Sequence, residues 1–245
     1  MSRADLIWNR PEPGARRPRH TRESIAATAI AIADAEGFGA VSMRRVATEL
    51  GAGTMTLYHY VHNKRELVSL MDDAIMGELL VPTGELPSGW REALTALAQR
   101  TRAVFERHPW AFTALRGAQG GPNGLRHFEQ SLTATAGTGL DLRQQLEIIT
   151  TIDDYVLGFV VRAGEIREGV ADARKHVESV PPSVIEYFES LLATGEFAHV
   201  EELFGGRDLR VAIGDLITLL ADEERFDRGL QRLLDGIELE LERRA

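Results

Sequence analysis

The stretch Ser42 to Lys64, SMRRVATELGAGTMTLYHYVHNK, constrains this chain more than any other. Ser42 is a favoured N-cap residue, because its hydroxyl accepts from unpaired backbone N–H groups at a helix start. Met43, Val46, Ala47 and Leu50 then fall at i, i+3, i+4 and i+7, one apolar stripe on a short helix. Gly51 suits the left-handed conformation that ends a helix. Thr54 is placed to cap a second short helix, on which Leu57 and Val61 point back at the first. Two short helices about a tight glycine-containing turn make a helix-turn-helix. Arg44 faces outward on the first helix, and Thr54, Met55, Thr56, Tyr58, His59 and Tyr60 face outward on the second. Such hydroxyls, aromatics and a methyl-bearing tip suit base edges, thymine methyls and phosphate oxygens. Lys64 follows where a cation can hold the nucleic-acid backbone. The competing reading of the same pattern is a helical hairpin within some other all-α protein.

A net charge of −9 looks wrong for a DNA binder until it is divided along the chain. Residues 1–70 hold ten Lys and Arg against seven Asp and Glu, a net of +3; the remainder holds 18 against 30, a net of −12. The positive charge sits with the candidate reading head. An acidic body held away from the duplex is screened beyond about 8 Å at physiological salt.

Residues 1–20 contain Pro11, Pro13, Gly14 and Pro18, which argues against regular structure, and Arg16, Arg17 and Arg19 make a short basic segment. The expectation is a flexible arm that reaches phosphates or the minor groove, or else a solvated tail. Thr21 to Gly37 reads as a helix capped by Thr21 or Ser24, with Ile25, Ala29, Ile32 and Ala33 on its inner face and Phe38 plugging the small core beyond it. Lys64 to about Leu80 reads as a longer helix joining head to body. The loop VPTGELPSG (81–89) is the expected domain boundary. Helices follow from Trp90 to Arg107, from Asn123 to Ala136 after Pro122, and from Asp141 to about Glu168. The last of these is apolar on more than one face, so it should be buried on more than one side. The final helix carries Phe226, Leu230, Leu233, Ile237 and Leu241 in near-heptad spacing, with Gly229 and Gly236 allowing close approach. Self-packing of these two helices into a four-helix interface is the expected use, giving a homodimer.

MRRVATELGAGTMT followed by LYHYVHNKREL resembles the DNA-binding domain of the tetracycline-repressor (TetR) family of bacterial transcriptional regulators, from about Thr21 to Leu80. HPW, GPNGLRHFEQSL, YVLGFV and ERFDRGLQRLLDGIE resemble the ligand-binding, dimerising domain of its tetracycline-repressor-like branch. The resemblance implies an all-α fold: an N-terminal three-helix DNA-binding domain (21–80) followed by a larger helical ligand-binding and dimerisation domain (90–245). It also implies a pocket for a small-molecule effector between residues 90 and 168. Candidate liners are His108, Trp110, Phe112, Arg116 and His127, with Phe128, Thr150, Asp153, Tyr155 and Phe159. One departure is GGRDLRVAIGDLITLLAD (205–222), which reads as an extra amphipathic helix, a lid over the pocket or an addition to the dimer interface. Another concerns the magnesium–drug chelate of the tetracycline repressors. Its histidine would fall near Leu115, about fourteen residues before Glu129, where the sequence is apolar. No metal and no cofactor are therefore expected, and the expected effector is apolar or aromatic with one or two polar handles.

No catalytic motif occurs: G-x-S-x-G, G-x-x-x-x-G-K-[ST] and H-E-x-x-H are all missing, and no strand precedes the glycine-rich GAQGGPNG. Asp153 and Asp154 lie about 100° apart on their helix and cannot converge as an acid/base pair. Without cysteine there is no disulfide or thiolate metal site. No run of about 18 apolar residues spans a membrane, and the N-terminus lacks an apolar signal-peptide core. The sequence thus predicts a non-enzymatic, cytoplasmic, homodimeric repressor released from a pseudo-palindromic operator by a small molecule. The alternative is a helical small-molecule-binding protein or enzyme with a disused DNA-binding head.

Overall fold

The computed structural model describes residues 6–13, 19–115, 118–220 and 222–243, and within the helices all side chains but those of 165–179 and 220. Arg16 and Arg17 of the expected arm, and Arg116 of the expected pocket, lie outside the described residues. Among the described residues the chain forms twelve α-helices and no strand. It divides into two contact units: residues 1–157 with 237–245, and residues 158–236.

The first unit contains α1 (Arg22–Glu36), α2 (Met43–Glu49), α3 (Thr54–Tyr60), α4 (Lys64–Leu79), α5 (Trp90–Arg107), α6 (Ala111–Ala114), α7 (Pro122–Ala136) and the start of α8 (Leu142–Ser179). Local chemistry fixes the helix starts. Thr21 and Ser24 form a reciprocal capping box on α1, the Ser42 hydroxyl accepts from Arg45 N, and Asn63 accepts from Glu66 N. Ile25, Val46, Leu57, Val61, Leu67 and Met71 have essentially no exposed surface and form the core of the head.

The 81–89 loop, the expected domain boundary, lies inside the first contact unit, which on this stretch ends at Leu157. The reason is α4, which packs on α1 with one side and on α5 and α7 with another. Backbone groups of the α7 region are stitched to it: Gln119 N–H donates to Ser69 Oγ at 3.0 Å, and Asn123 N–H donates to Asp73 Oδ1 at 2.7 Å. Gly121 is required there, because a Cβ would run into the Asp73 carboxylate and the Trp8 ring. Gln130 then pins the loop itself, donating to Val81 O at 2.7 Å and accepting from Val81 N at 3.0 Å.

The N-terminal segment corrects an expectation. Residues 6–13 are folded against the head rather than extended: Ile7 is fully buried in a 3-10 turn, Ile7–Asn9. Arg22 donates to the carbonyls of Ile7 (2.9 Å) and Arg10 (2.8 Å), and Arg10 pairs with Glu66 at 2.5 Å. Burying an isoleucine side chain is worth about 1.5–3 kcal/mol, which favours docking over a free arm.

The second unit contains the rest of α8, then α9 (Pro182–Leu192), α10 (Ala198–Phe204), α11 (Leu209–Leu220) and most of α12 (Arg225–Glu242). Helix α8 runs eleven residues past the expected Glu168 end, to Ser179. Helix α11 forms inside the 205–222 segment, as its pattern predicts, and packs with α9 and α10. On α12 the buried residues are Phe226, Leu230 and Leu234, spaced by four. Leu233, Ile237 and Leu241 of the expected stripe are only half-buried, so α12 presents a second apolar face.

Candidate nucleic-acid interface and effector cavity

The turn between α2 and α3 is set by hydrogen bonds. Ala52 N–H reaches Ala47 O at 2.9 Å and Gly51 N–H reaches Thr48 O at 3.0 Å, the paired bonds of a Schellman motif. Gly51 sits at φ +63, which a side chain would strain. The cap of α3 is Gly53, not Thr54. Thr54 is therefore the first helical residue, half-buried, its side chain free of a capping role.

Arg44, Met55, Thr56, Tyr58 and His59 are exposed on this head, Met55 at 75 % and Tyr58 at 40 %. Tyr60 is a correction: it is buried at 9 %, not outward. It lies three residues after the buried Leu57, hence on the same inward face of a seven-residue helix. Arg45 braces α2 from behind, pairing with Glu36 of α1 at 2.7 Å and with Glu49 at 2.6 Å. Those two carboxylates hold its guanidinium pKa above the ordinary value. Lys64 is exposed, and its ammonium lies 5.3 Å from the centroid of the Phe38 ring.

Phe38 does not plug the head's core. It is half-buried and stacks on Trp110, centroids 5.8 Å apart with 14° between planes. Trp110 and His108 therefore belong to a joint with the head and not to a cavity. The α5–α6 corner abuts the end of α1, where Asp34 Oδ1 lies 2.7 Å from both Trp110 Nε1 and His108 Nδ1. His108 Nε2 lies 3.4 Å from Glu78 Oε2, which also pairs with Arg107 at 2.5 Å.

One helical turn beyond that corner the chain faces inward. Asp72, Ile75 and Met76 of α4, Phe105 of α5, Phe112 of α6, His127 of α7 and Asp153 of α8 line a cavity of about 290 Å³. Of the residues expected there, Phe112, His127 and Asp153 reach it. Phe128 is 43 % exposed on the outer side of α7. Thr150 is exposed, with its hydroxyl donating to Leu146 O at 2.9 Å. Tyr155 is half-buried away from the cavity. Phe159 belongs to the second unit, edge-on to Phe226 at 5.1 Å with the Arg225 guanidinium over its ring. Sequence reasoning missed Asp72, which lies one residue after the buried Met71 and so reads as the solvated side of α4.

The polar groups of the cavity are poorly compensated. Burial, reinforced by Asp73, pushes the Asp72 carboxyl up to about 6; burial, reinforced by Asp154, does the same to Asp153. Burial lowers the His127 pKa, and its Nδ1 is buried without a hydrogen-bond partner.

Residues 25–71 match the family profile described as bacterial regulatory proteins, tetR family, and residues 83–241 match the tetracyclin repressor-like C-terminal domain. The chain is 35 % identical to the HTH-type transcriptional repressor DrrR1 of Streptomyces coeruleorubidus, across 96 % of this chain and 84 % of that one. This chain belongs to the TetR family of bacterial transcriptional regulators. A second relative, an HTH-type transcriptional regulator of Saccharopolyspora erythraea, is 34 % identical over 63 % of this chain and 66 % of that one. Among solved structures, apo ActR from Streptomyces coelicolor has the same fold, with a TM-score of 0.61 at 22 % identity over 94 % of this chain and all of that one. The helix-turn-helix of a TetR-family regulator binds DNA, so α2 and α3 are the reading head. No described helix is long and apolar enough to cross a membrane.

Proposed function

We propose that this TetR-family regulator is a homodimeric repressor, without a catalytic step, that a small-molecule effector releases from a pseudo-palindromic operator in the cytoplasm. The observation that carries the reading is the continuity of α4. Asn63 caps it directly behind the recognition helix α3, and three turns later its Asp72, Ile75 and Met76 line the cavity. A sixteen-residue helix is about 24 Å long, so an occupant that tilts its far end displaces α3.

On DNA, Arg44, Thr54, Met55 and Thr56 meet base edges, while Tyr58, His59 and Lys64 hold phosphates. The remaining apolar faces support a dimer: Leu146 and Ile148 on α8 and Leu233, Ile237 and Leu241 on α12 are incompletely buried in the single chain. Two heads then read half-sites about one helical turn, some 34–36 Å, or somewhat more apart. Effector binding shifts the population toward dimers whose heads no longer match that spacing. A related precedent is ActR of Streptomyces coelicolor, solved in complex with actinorhodin.

The test is fluorescence anisotropy of a duplex taken from upstream of the protein's own gene, at two salt concentrations, against scrambled DNA. Selective binding that weakens steeply with salt is expected. Equal affinity for scrambled DNA and for genomic fragments as well, using refolded protein freed of any co-purified effector, overturns the reading.

A further inference from the structure

We infer that the cavity selects cationic effectors: compact, ring-bearing molecules carrying a protonated amine, held between the carboxylates of Asp72 and Asp153. This rests on the cavity being the effector site and names what enters it.

The walls set the ligand's body. Phe105, Phe112, Leu115 and Met76 offer ring faces, methylene and thioether surface, and the volume of about 290 Å³ suits a fused two- or three-ring skeleton. The charge comes from two other positions. Asp72 on α4 and Asp153 on α8 both line this apolar space, and no hydrogen bond or ion pair to either side chain occurs among the described residues. Their charged neighbours in sequence, Asp73 and Asp154, are themselves acidic and add repulsion. Asp73 has partners of its own, accepting from Asn123 N, and Asp154 is exposed. Two desolvated carboxyls with no cation opposite them among the described residues are costly in an empty cavity, and a buried ammonium removes that cost at both. An anionic occupant would add to it, and a neutral one would leave it in place.

A metal ion is the other cation that carboxylates attract. The side chains do not converge for one: no three His, Asp or Glu residues among the described residues are grouped to hold a metal. The arrangement instead fits a molecule long enough to span separate polar points. The partnerless Nδ1 of His127 supplies a third such point. Burial keeps that imidazole neutral, so it takes a hydroxyl or carbonyl handle and does not repel the amine.

The probe series is 2-(1-naphthyl)ethylamine, 2-(1-naphthyl)ethanol and 1-naphthylacetate, which share a ring and differ in charge. Binding to the full-length protein is measured by calorimetry, without DNA, so a failure of operator recognition leaves the result readable. The expected result is an amine that binds about tenfold or more tightly than the alcohol, with the carboxylate weakest. Asp153→Asn and Asp72→Asn each bring the amine toward the alcohol, weakening the amine more than the alcohol. At pH 6 the amine, unlike the alcohol, displaces carboxyl protons into the buffer, seen as a heat that changes with the buffer's ionisation enthalpy. Both variants keep the side-chain shape, and thermal melting checks that they fold. The inference is overturned if the alcohol or the carboxylate matches the amine, if the preference survives both substitutions, or if no member binds.

Discussion

Trp110 donates its indole N–H to Asp34 Oδ1 over 2.7 Å, and His108 Nδ1 meets the same oxygen at 2.7 Å. Asp34 is near the end of α1 in the reading head, whereas Trp110 and His108 form the α5–α6 corner beside the cavity. The Trp110 ring also stacks on Phe38, over which the Lys64 ammonium lies. A single carboxylate oxygen and one aromatic stack thus tie the head to the helices that line the cavity. A second route runs through α4. The corner is therefore joined to the head by direct contacts as well as by the loops between them.

Replacing Asp34 by alanine removes the acceptor from two donors at once. Trp110 is half-buried and can turn to water, but His108 is only 4 % exposed. Leaving such a group unsatisfied costs about 1–3 kcal/mol, so Asp34→Ala should lower Tm by about 2–12 °C in a chain of this size. Trp110→Phe, which keeps the ring but loses the N–H, should cost less. Calorimetry of both variants checks this; unchanged melting in Asp34→Ala would mean that the joint contributes nothing to stability.

Tyr58 and Tyr60 are two residues apart on α3 and should behave oppositely. Tyr58 is 40 % exposed, so Tyr58→Ala should weaken operator binding about tenfold or more through a lost contact to a charged phosphate, with the dimer and Tm unchanged. Tyr60 is core, and truncating a large buried aromatic costs about 3–5 kcal/mol. Tyr60→Ala should therefore lower Tm sharply, and its DNA binding should fail only as the head unfolds. Paired melting curves and anisotropy titrations separate the two. A Tyr60→Ala protein that melts normally yet loses DNA would reinstate that tyrosine as a contact.

The helix-turn-helix is legible from Ser42 to Lys64 because its signals are local: a capping hydroxyl, a 3.6-residue apolar period and a glycine at positive φ. Tyr60 misleads because tyrosine suits both a core and a phosphate, and only the spacing from Leu57 decides between them. The cavity is less legible. His108 and Trp110 sit in a corner whose direction depends on α1, about 70 residues away in sequence, and no local pattern reports that. Asp72 looks like the solvated face of α4 because its burial comes from α5, α7 and α8 together. Ile7 and Trp8 lie in a proline-rich segment whose composition argues for disorder. Arg22 and Glu66, the partners that dock it, are visible only in the fold.

The N-terminal segment should undock in acid. Burial pushes the Glu66 carboxyl up, but the Arg10 guanidinium and the His62 backbone N–H outweigh it and hold its pKa below the ordinary 4.5. A depressed folded pKa gives stability that is present above the unfolded value and is lost as pH falls through the folded one. Segment 6–13 should stay docked at neutral pH and loosen below about pH 4.5. Glu66→Gln should loosen it at every pH. Hydrogen exchange at the Arg10 amide, which donates to Ile7 O at 3.3 Å, reads this directly. Equal protection in wild type and variant at pH 7 would show that the ion pair does not hold the segment.

Asp153 should show the opposite sign. Its carboxyl is pushed from 3.8 up to about 6 by burial and by Asp154, so folding binds a proton that the unfolded chain has released. Stability from this group is fully present below about pH 4 and falls as pH rises toward 6, levelling off above. A rise of that size corresponds to about 3 kcal/mol at most, and water at the cavity mouth reduces this to about 1–2 kcal/mol. Asp153→Asn cannot ionise and escapes the loss. The variant should match wild type near pH 4 and be more stable by about that amount at pH 7. Chemical denaturation of both proteins at pH 4, 5, 6 and 7 follows the difference, with the ordinary acid lability of the rest of the chain cancelling between them. A constant difference across the series would mean that Asp153 ionises as freely in the folded protein as in the unfolded one.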